Sequence, residues 1–76
     1  MSERIIEIDT EFIKLGQLLK LADVADSGSE AKQFILEGSV FYNGELCLLR
    51  GKKVYHNDII TVFEEDIKVI GNTNNL

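Results

Sequence analysis

Six of the chain's eight lysines and arginines lie between residues 14 and 53: Lys14, Lys20, Lys32, Arg50, Lys52 and Lys53. The flanks, residues 1–13 and 54–76, each set one cation against four carboxylates. A formal net charge of −5 therefore conceals a slightly cationic middle, and whole-chain charge is a poor guide to a local patch. The chemistry open to these groups is anion binding. Ser29 belongs to the first turn of a helix that starts after Ser27; its hydroxyl can donate, and the free amides and positive dipole end there favour an anion. Lys20, Lys32, Arg50, Lys52 and Lys53 are the cations able to line a surface with it. On charge alone the alternative stays open, that they are ordinary solvated side chains on exposed faces.

Other reactive types are sparse. In "SVFYNGE" the alternation puts Val40 and Tyr42 on the core side and Phe41 on the other. There Phe41 either stacks on an unpaired base or packs under a terminal strand. Asn43, before Gly44, is a turn residue suited to positive φ. His56 is the chain's one histidine, with no second ligand at metal spacing. Cys47 is also alone, which excludes a disulfide framework and a thiolate metal site and leaves a small core residue. Glu64, Glu65 and Asp66 are consecutive, so their carboxylates diverge on a strand; a solvated turn is expected. With no nucleophile–base set, phosphate-cradling glycine loop or redox pair, no catalytic residue, metal, cofactor or small-molecule substrate is expected.

The elements that position these groups follow from periodicity. A length of 76 residues allows one domain, 1–76, of modest stability. "RIIEI" is a β-rich edge strand, and "DTEFI" leads toward a helix. Leu15, Leu18, Leu19 and Ala22 recur at helical spacing, with Gly16 near the start. Ser27-Gly28-Ser29-Glu30 fits a capping box in which the Glu30 carboxylate returns to the Ser27 amide. A second helix over 28–37 carries Ala31, Phe34 and Ile35 and stops at Gly38. The period then changes to two. "VFY", the Asn43-Gly44 turn and "ELCLL" make a hairpin, "RGKK" a loop, and "IITVF" a third strand. "IKVIG" supplies a last strand to pair with the first, and 72–76 is a polar tail expected to be disordered. The fold class is α+β: two short helices on a small, mostly antiparallel sheet with extra edge strands from both termini. No apolar run approaches the roughly 18 residues a membrane helix needs, and no signal-peptide core is evident. A cytoplasmic location is expected.

The ordered set "KLGQLLKLADVADSGSEAKQFILEGSVFYNG" and "KKVYHNDIITV" resembles the RNA-binding domain named after the fourth protein of the small ribosomal subunit, also called the αL motif. Leu15 and Leu19 match its leucines, and Ser27, Ala31 and Lys32 its helix start. Gly38, Val40, Tyr42, Asn43 and Gly44 match its turn block; Asp58, Ile60 and Val62 match its close. The likeness spans about residues 14–63 and is greatest to small stand-alone bacterial members of YaaA type. Three positions depart from the pattern: Lys14 replaces its first arginine, Gly16 the aspartate that follows, and Gly28 the arginine after the serine. The last removes a bidentate phosphate ligand.

The resemblance implies a non-catalytic protein that docks structured RNA, ribosomal or transfer RNA, through its backbone. Lys20, Ser29, Lys32, Arg50, Lys52 and Lys53 then form a phosphate rim, with Phe41 as a candidate base platform. A monomer that makes no membrane contact is expected. The alternative is a small protein-interaction adaptor that keeps the fold without RNA, favoured by the net charge and by Gly28.

Overall fold

The computed structural model describes residues 2–71; the tail assigned to 72–76 lies outside the described residues. Strand β1, Ser2–Glu7, runs parallel to the last strand, which returns to it from the far end of the sequence. Phe12–Lys14 forms a short strand β2, followed without a break by helix α1, Leu15–Leu21. Helix α2, Gly28–Leu36, leads through Gly38 into β3, Val40–Tyr42, and β4, Glu45–Leu46. Then come β5, Lys53–Tyr55, β6, Ile59–Val62, and β7, Glu65–Ile70. Five strands make one mixed, mostly antiparallel sheet in the order β1-β7-β6-β3-β4, and β2 pairs separately with β5. This is the expected α+β architecture with strands contributed by both termini, except that only β1 is an edge: β7 lies between β1 and β6.

Helix α2 is specified locally. The Ser27 hydroxyl accepts from the Glu30 amide at 3.2 Å, but the Glu30 carboxylate accepts from the Asp26 amide at 2.9 Å, one residue before the Ser27 amide of the expected box. The helix ends at Leu36, with Glu37 as its cap residue. Gly38 adopts φ +84°, which glycine tolerates without steric cost. Its amide donates to Ile35 O and the Ser39 amide to Phe34 O, closing a Schellman motif.

Helix α1 is capped by tertiary structure. No side chain caps it; instead the Leu15 amide donates to Lys52 O at 2.9 Å and the Gly16 amide to Arg50 O at 3.0 Å. Gly16 sits in the first turn, where its entropic cost is small. At the other end, the Arg4 guanidinium donates to Ala22 O and pairs with Glu65 at 2.8 Å, fastening β1 and β7 to the helix terminus.

The core lies between the helices and one face of the sheet. Leu15, Leu18, Leu19, Ala31 and Ile35 pack with Val40, Val54, Ile60, Val62, Ile67 and Val69, all essentially buried. Cys47 is buried with them, just past the end of β4.

Three local expectations are corrected. "DTEFI" leads to the helix as expected, but through a strand that was not: its Phe12-Ile13 begins β2, opposite Tyr55 and Val54. "ELCLL" forms a strand only over Glu45 and Leu46; after one further bond from the Cys47 amide to Val40 O the chain leaves the sheet to reach α1. The acidic turn shifts: Phe63 and Glu64 form it, at φ +51° and +66°, while Glu65 and Asp66 already belong to β7.

Candidate nucleic-acid interface

The docking of residues 50–52 on the start of α1 brings cations distant in sequence together. One concavity is lined by Lys14, Gly16, Gln17, Lys20, Gly28 and Arg50. A second adjoins it and is lined by Lys32, Leu36, Leu48, Leu49, Arg50 and Lys52. Arg50 and Gly51 border both, so the two form one continuous surface. Neither has a carboxylate in its lining, in a chain with thirteen of them. Among the described residues the one salt bridge joins Arg4 and Glu65, so none of these cations is in direct ion-pair contact, although Lys52 lies near enough to Asp58 to influence it. Of the predicted set, Lys20, Lys32, Arg50 and Lys52 meet here.

Lys53 flanks the surface from β5. It lies directly opposite Lys14 of β2, and its ammonium sits 4.7 Å from the centre of the Phe12 ring. Like charges facing across a strand pair are destabilising, and an anion bound between them removes that penalty. Lys14 was not in the predicted set. Its signal was present in the sequence: it stands where the resembled pattern has its first arginine. Ser29 is exposed in the first turn of α2, next to Gly28.

Phe41 is separated from this surface. It is 38% exposed on the outer face of the sheet, between Leu46 and Thr61. The Thr61 hydroxyl donates at 2.7 Å to Asp66 in the next strand, so that face also carries an acid. The alternation that placed Phe41 opposite Val40 holds, and Phe41 lines neither of the two concavities.

Lys52 is held by a polar clasp. Its ammonium lies 5.0 Å from the centre of the Tyr42 ring, and the Tyr42 hydroxyl donates to the Asp58 carboxylate. That carboxylate also accepts from the Tyr55 amide at 2.8 Å and the Asn43 side chain at 3.1 Å. Asn43 in turn accepts from the Ile59 amide at 2.8 Å, and its φ of +49° fits the structural role expected of it. Burial works to raise the Asp58 pKa, but Tyr42, Tyr55, Asn43 and the nearby Lys52 together hold it below its ordinary value. Burial first, then the Asp58 hydrogen bond and charge, push the Tyr42 phenol up to about 12. His56 is structural: its Nδ1 accepts from the Gly71 amide at 3.1 Å.

Another groove lies between the β1–β2 connection and α1, lined among others by Glu7, Asp9, Phe12, Lys20 and Leu21, so Lys20 borders this acidic groove as well as the first concavity. Its carboxylates make it a poor anion site. Among the described residues no group of three His, Cys, Asp or Glu side chains converges to hold a metal, and no helix is long and apolar enough to cross a membrane.

Comparison with known proteins agrees with this architecture. Residues 6–70 match the S4 domain family. A protein of Bacillus subtilis (strain 168) named probable ribosome maturation protein RlbA is 51% identical over 57 residues, covering 75% of this chain and 80% of that protein. A domain match over nearly the whole described chain and a relative of that identity lead to one conclusion: this chain belongs to the S4-domain family.

Proposed function

We propose that this protein is a non-catalytic RNA-binding module that docks structured RNA, ribosomal or transfer RNA, through the cationic surface around Arg50. The observation that carries the reading is the pair of carboxylate-free concavities sharing Arg50, which bring Lys14, Lys20, Lys32 and Lys52 within one face. Phosphates of an A-form helix are recognised by such cations held on rigid elements, with little dependence on sequence. Lys53 and Ser29 extend the rim, and the first-turn amides of α2 add their dipole. Phe41 faces the acid-bearing side and is not assigned to the rim. The name of the Bacillus relative favours ribosomal RNA over transfer RNA as the client. A monomer acting in the cytoplasm, without cofactor, metal or membrane contact, completes the reading.

Ultraviolet crosslinking in growing cells, followed by sequencing of the attached nucleic acid, tests it. Ribosomal or transfer RNA stems are expected well above the background of a Lys32→Glu, Arg50→Glu variant. Recovery indistinguishable from that background sinks the proposal and favours a protein-interaction adaptor.

Gly28 gives a gain-of-function test. A Cβ built there meets nothing within 4 Å, so a side chain can branch from this position into open space. Gly28→Arg restores the guanidinium fork at the helix start and is expected to tighten RNA binding roughly tenfold, the scale of one charge-assisted contact. Titration with a fluorescent transcript reads the effect; an unchanged affinity places the RNA away from α2.

A further inference from the structure

The second concavity differs from the first in having an apolar floor. Leu36, Leu48 and Leu49 are 60%, 48% and 67% exposed, and they lie together beside Lys32, Arg50 and Lys52. The loop that carries two of these leucines cannot roll them inward. The Cys47 amide donates to Val40 O at 3.0 Å and the Lys52 amide to Leu49 O at 3.1 Å, while Arg50 O and Lys52 O are engaged by α1. A fixed backbone thus presents adjacent leucines to solvent beside three cations, of which Lys52 also rests against the Tyr42 ring.

Charge and shape together restrict the occupant. Three cations with no carboxylate in the lining call for a polyanion. Phosphates alone leave the leucines unused, because a continuous A-form duplex keeps its bases stacked inside. A nucleotide outside the stack satisfies both halves. It offers an apolar base face to the leucines and the phosphates on either side of it to the cations. Apolar side chains are known to contact unstacked bases, and the Arg50 guanidinium at the boundary can lie flat on the same base.

We infer that the concavity floored by Leu36, Leu48 and Leu49 holds one unpaired nucleotide of the bound RNA, with Lys32, Arg50 and Lys52 on its flanking phosphates. This rests on the RNA-binding reading and names the RNA feature that the site selects: a bulge or loop nucleotide next to a helical stem.

Two synthetic hairpin RNAs with the same stem, one carrying a single bulged 2-aminopurine, provide the test with the full chain. The protein is expected to bind the bulged hairpin roughly tenfold more tightly, about what burying one base face against apolar side chains supplies, and 2-aminopurine fluorescence should change as the base settles on the leucines. Leu48→Ser, Leu49→Ser is expected to bind both hairpins at the plain-hairpin affinity. Its thermal midpoint should not fall, since both side chains are exposed. Equal binding of the two hairpins by the unaltered protein, with steep salt dependence, overturns the inference and leaves RNA binding intact. Failure to bind either at low ionic strength overturns both. A bulge preference that survives in the leucine variant places the base elsewhere and also overturns it. So does an acidic amphipathic peptide that binds the unaltered protein but not the variant, with no bulge preference, since the occupant is then a protein segment.

Discussion

Replacing Lys32 and Arg50 together by glutamate is expected to weaken RNA binding at least about 100-fold at low ionic strength, through two lost phosphate contacts and two new repulsions. Both side chains are exposed, and neither has a carboxylate partner among the described residues. Arg50 contributes to the fold through its carbonyl, which accepts from the Gly16 amide and survives the substitution. Stability should accordingly change by no more than about 0.5 kcal/mol, the usual range for surface positions. Gel retardation and thermal unfolding of the same preparation separate the two effects. Arg50 borders both concavities, so Arg50→Glu alone should cost more affinity than Lys32→Glu alone. Retention of full binding by the double variant removes the surface from the account.

The second large effect concerns the clasp behind Lys52. Asp58→Ala removes the acceptor shared by the Tyr42 hydroxyl, the Tyr55 amide and the Asn43 side chain. The carboxylate is partly exposed, so the loss is set near the low end for charge-assisted bonds, at about 2 kcal/mol. In a domain of this size that lowers the thermal midpoint by roughly 10 °C. The sign of the pH dependence follows from the direction of the shift. The Asp58 pKa is lowered on folding from 3.8, so its contribution is present above that value and is lost as pH falls through the lower, folded one. Asp58→Asn should flatten this acid limb and leave the difference from the unaltered protein constant at neutral pH. At the alkaline end the raised Tyr42 pKa acts in the opposite sense: its contribution holds below pH 10.0 and is lost as pH rises toward about 12. Unfolding midpoints collected across pH test both limbs. An acid limb identical in Asp58→Asn and the unaltered protein contradicts the clasp.

The parts of this fold legible in the sequence were those encoded over a few residues. Ser27 and Gly38 bracket α2 because capping needs side chains and φ values that few residue types supply. Asn43-Gly44 marks the hairpin for the same reason. The missed features depend on distant partners. Phe12-Ile13-Lys14 is too short to show a period, and it is a strand only because Tyr55 and Lys53 lie alongside. The Phe63-Glu64 turn contains no turn-forming residue; strand register on either side, Val62 opposite Glu65, forces it.

The candidate site divides in the same way. Its cations could be counted in the sequence, but their gathering depends on two backbone carbonyls, of Arg50 and Lys52, capping α1. Carbonyls leave no trace in residue type. Lys14 joins the first concavity through that same docking, although its place in the resembled pattern already marks it. Phe41 invites assignment to the site as an exposed aromatic beside a cationic segment, but it sits on the outer sheet face opposite Thr61 and lines neither concavity.

The central claim is that phosphates lead the binding, and salt titration tests it most directly. For about five phosphate contacts, log K for a structured transcript should fall linearly with log[salt], with a slope of roughly −3.5 to −4.5. A flat response, or no binding at the lowest salt, contradicts it.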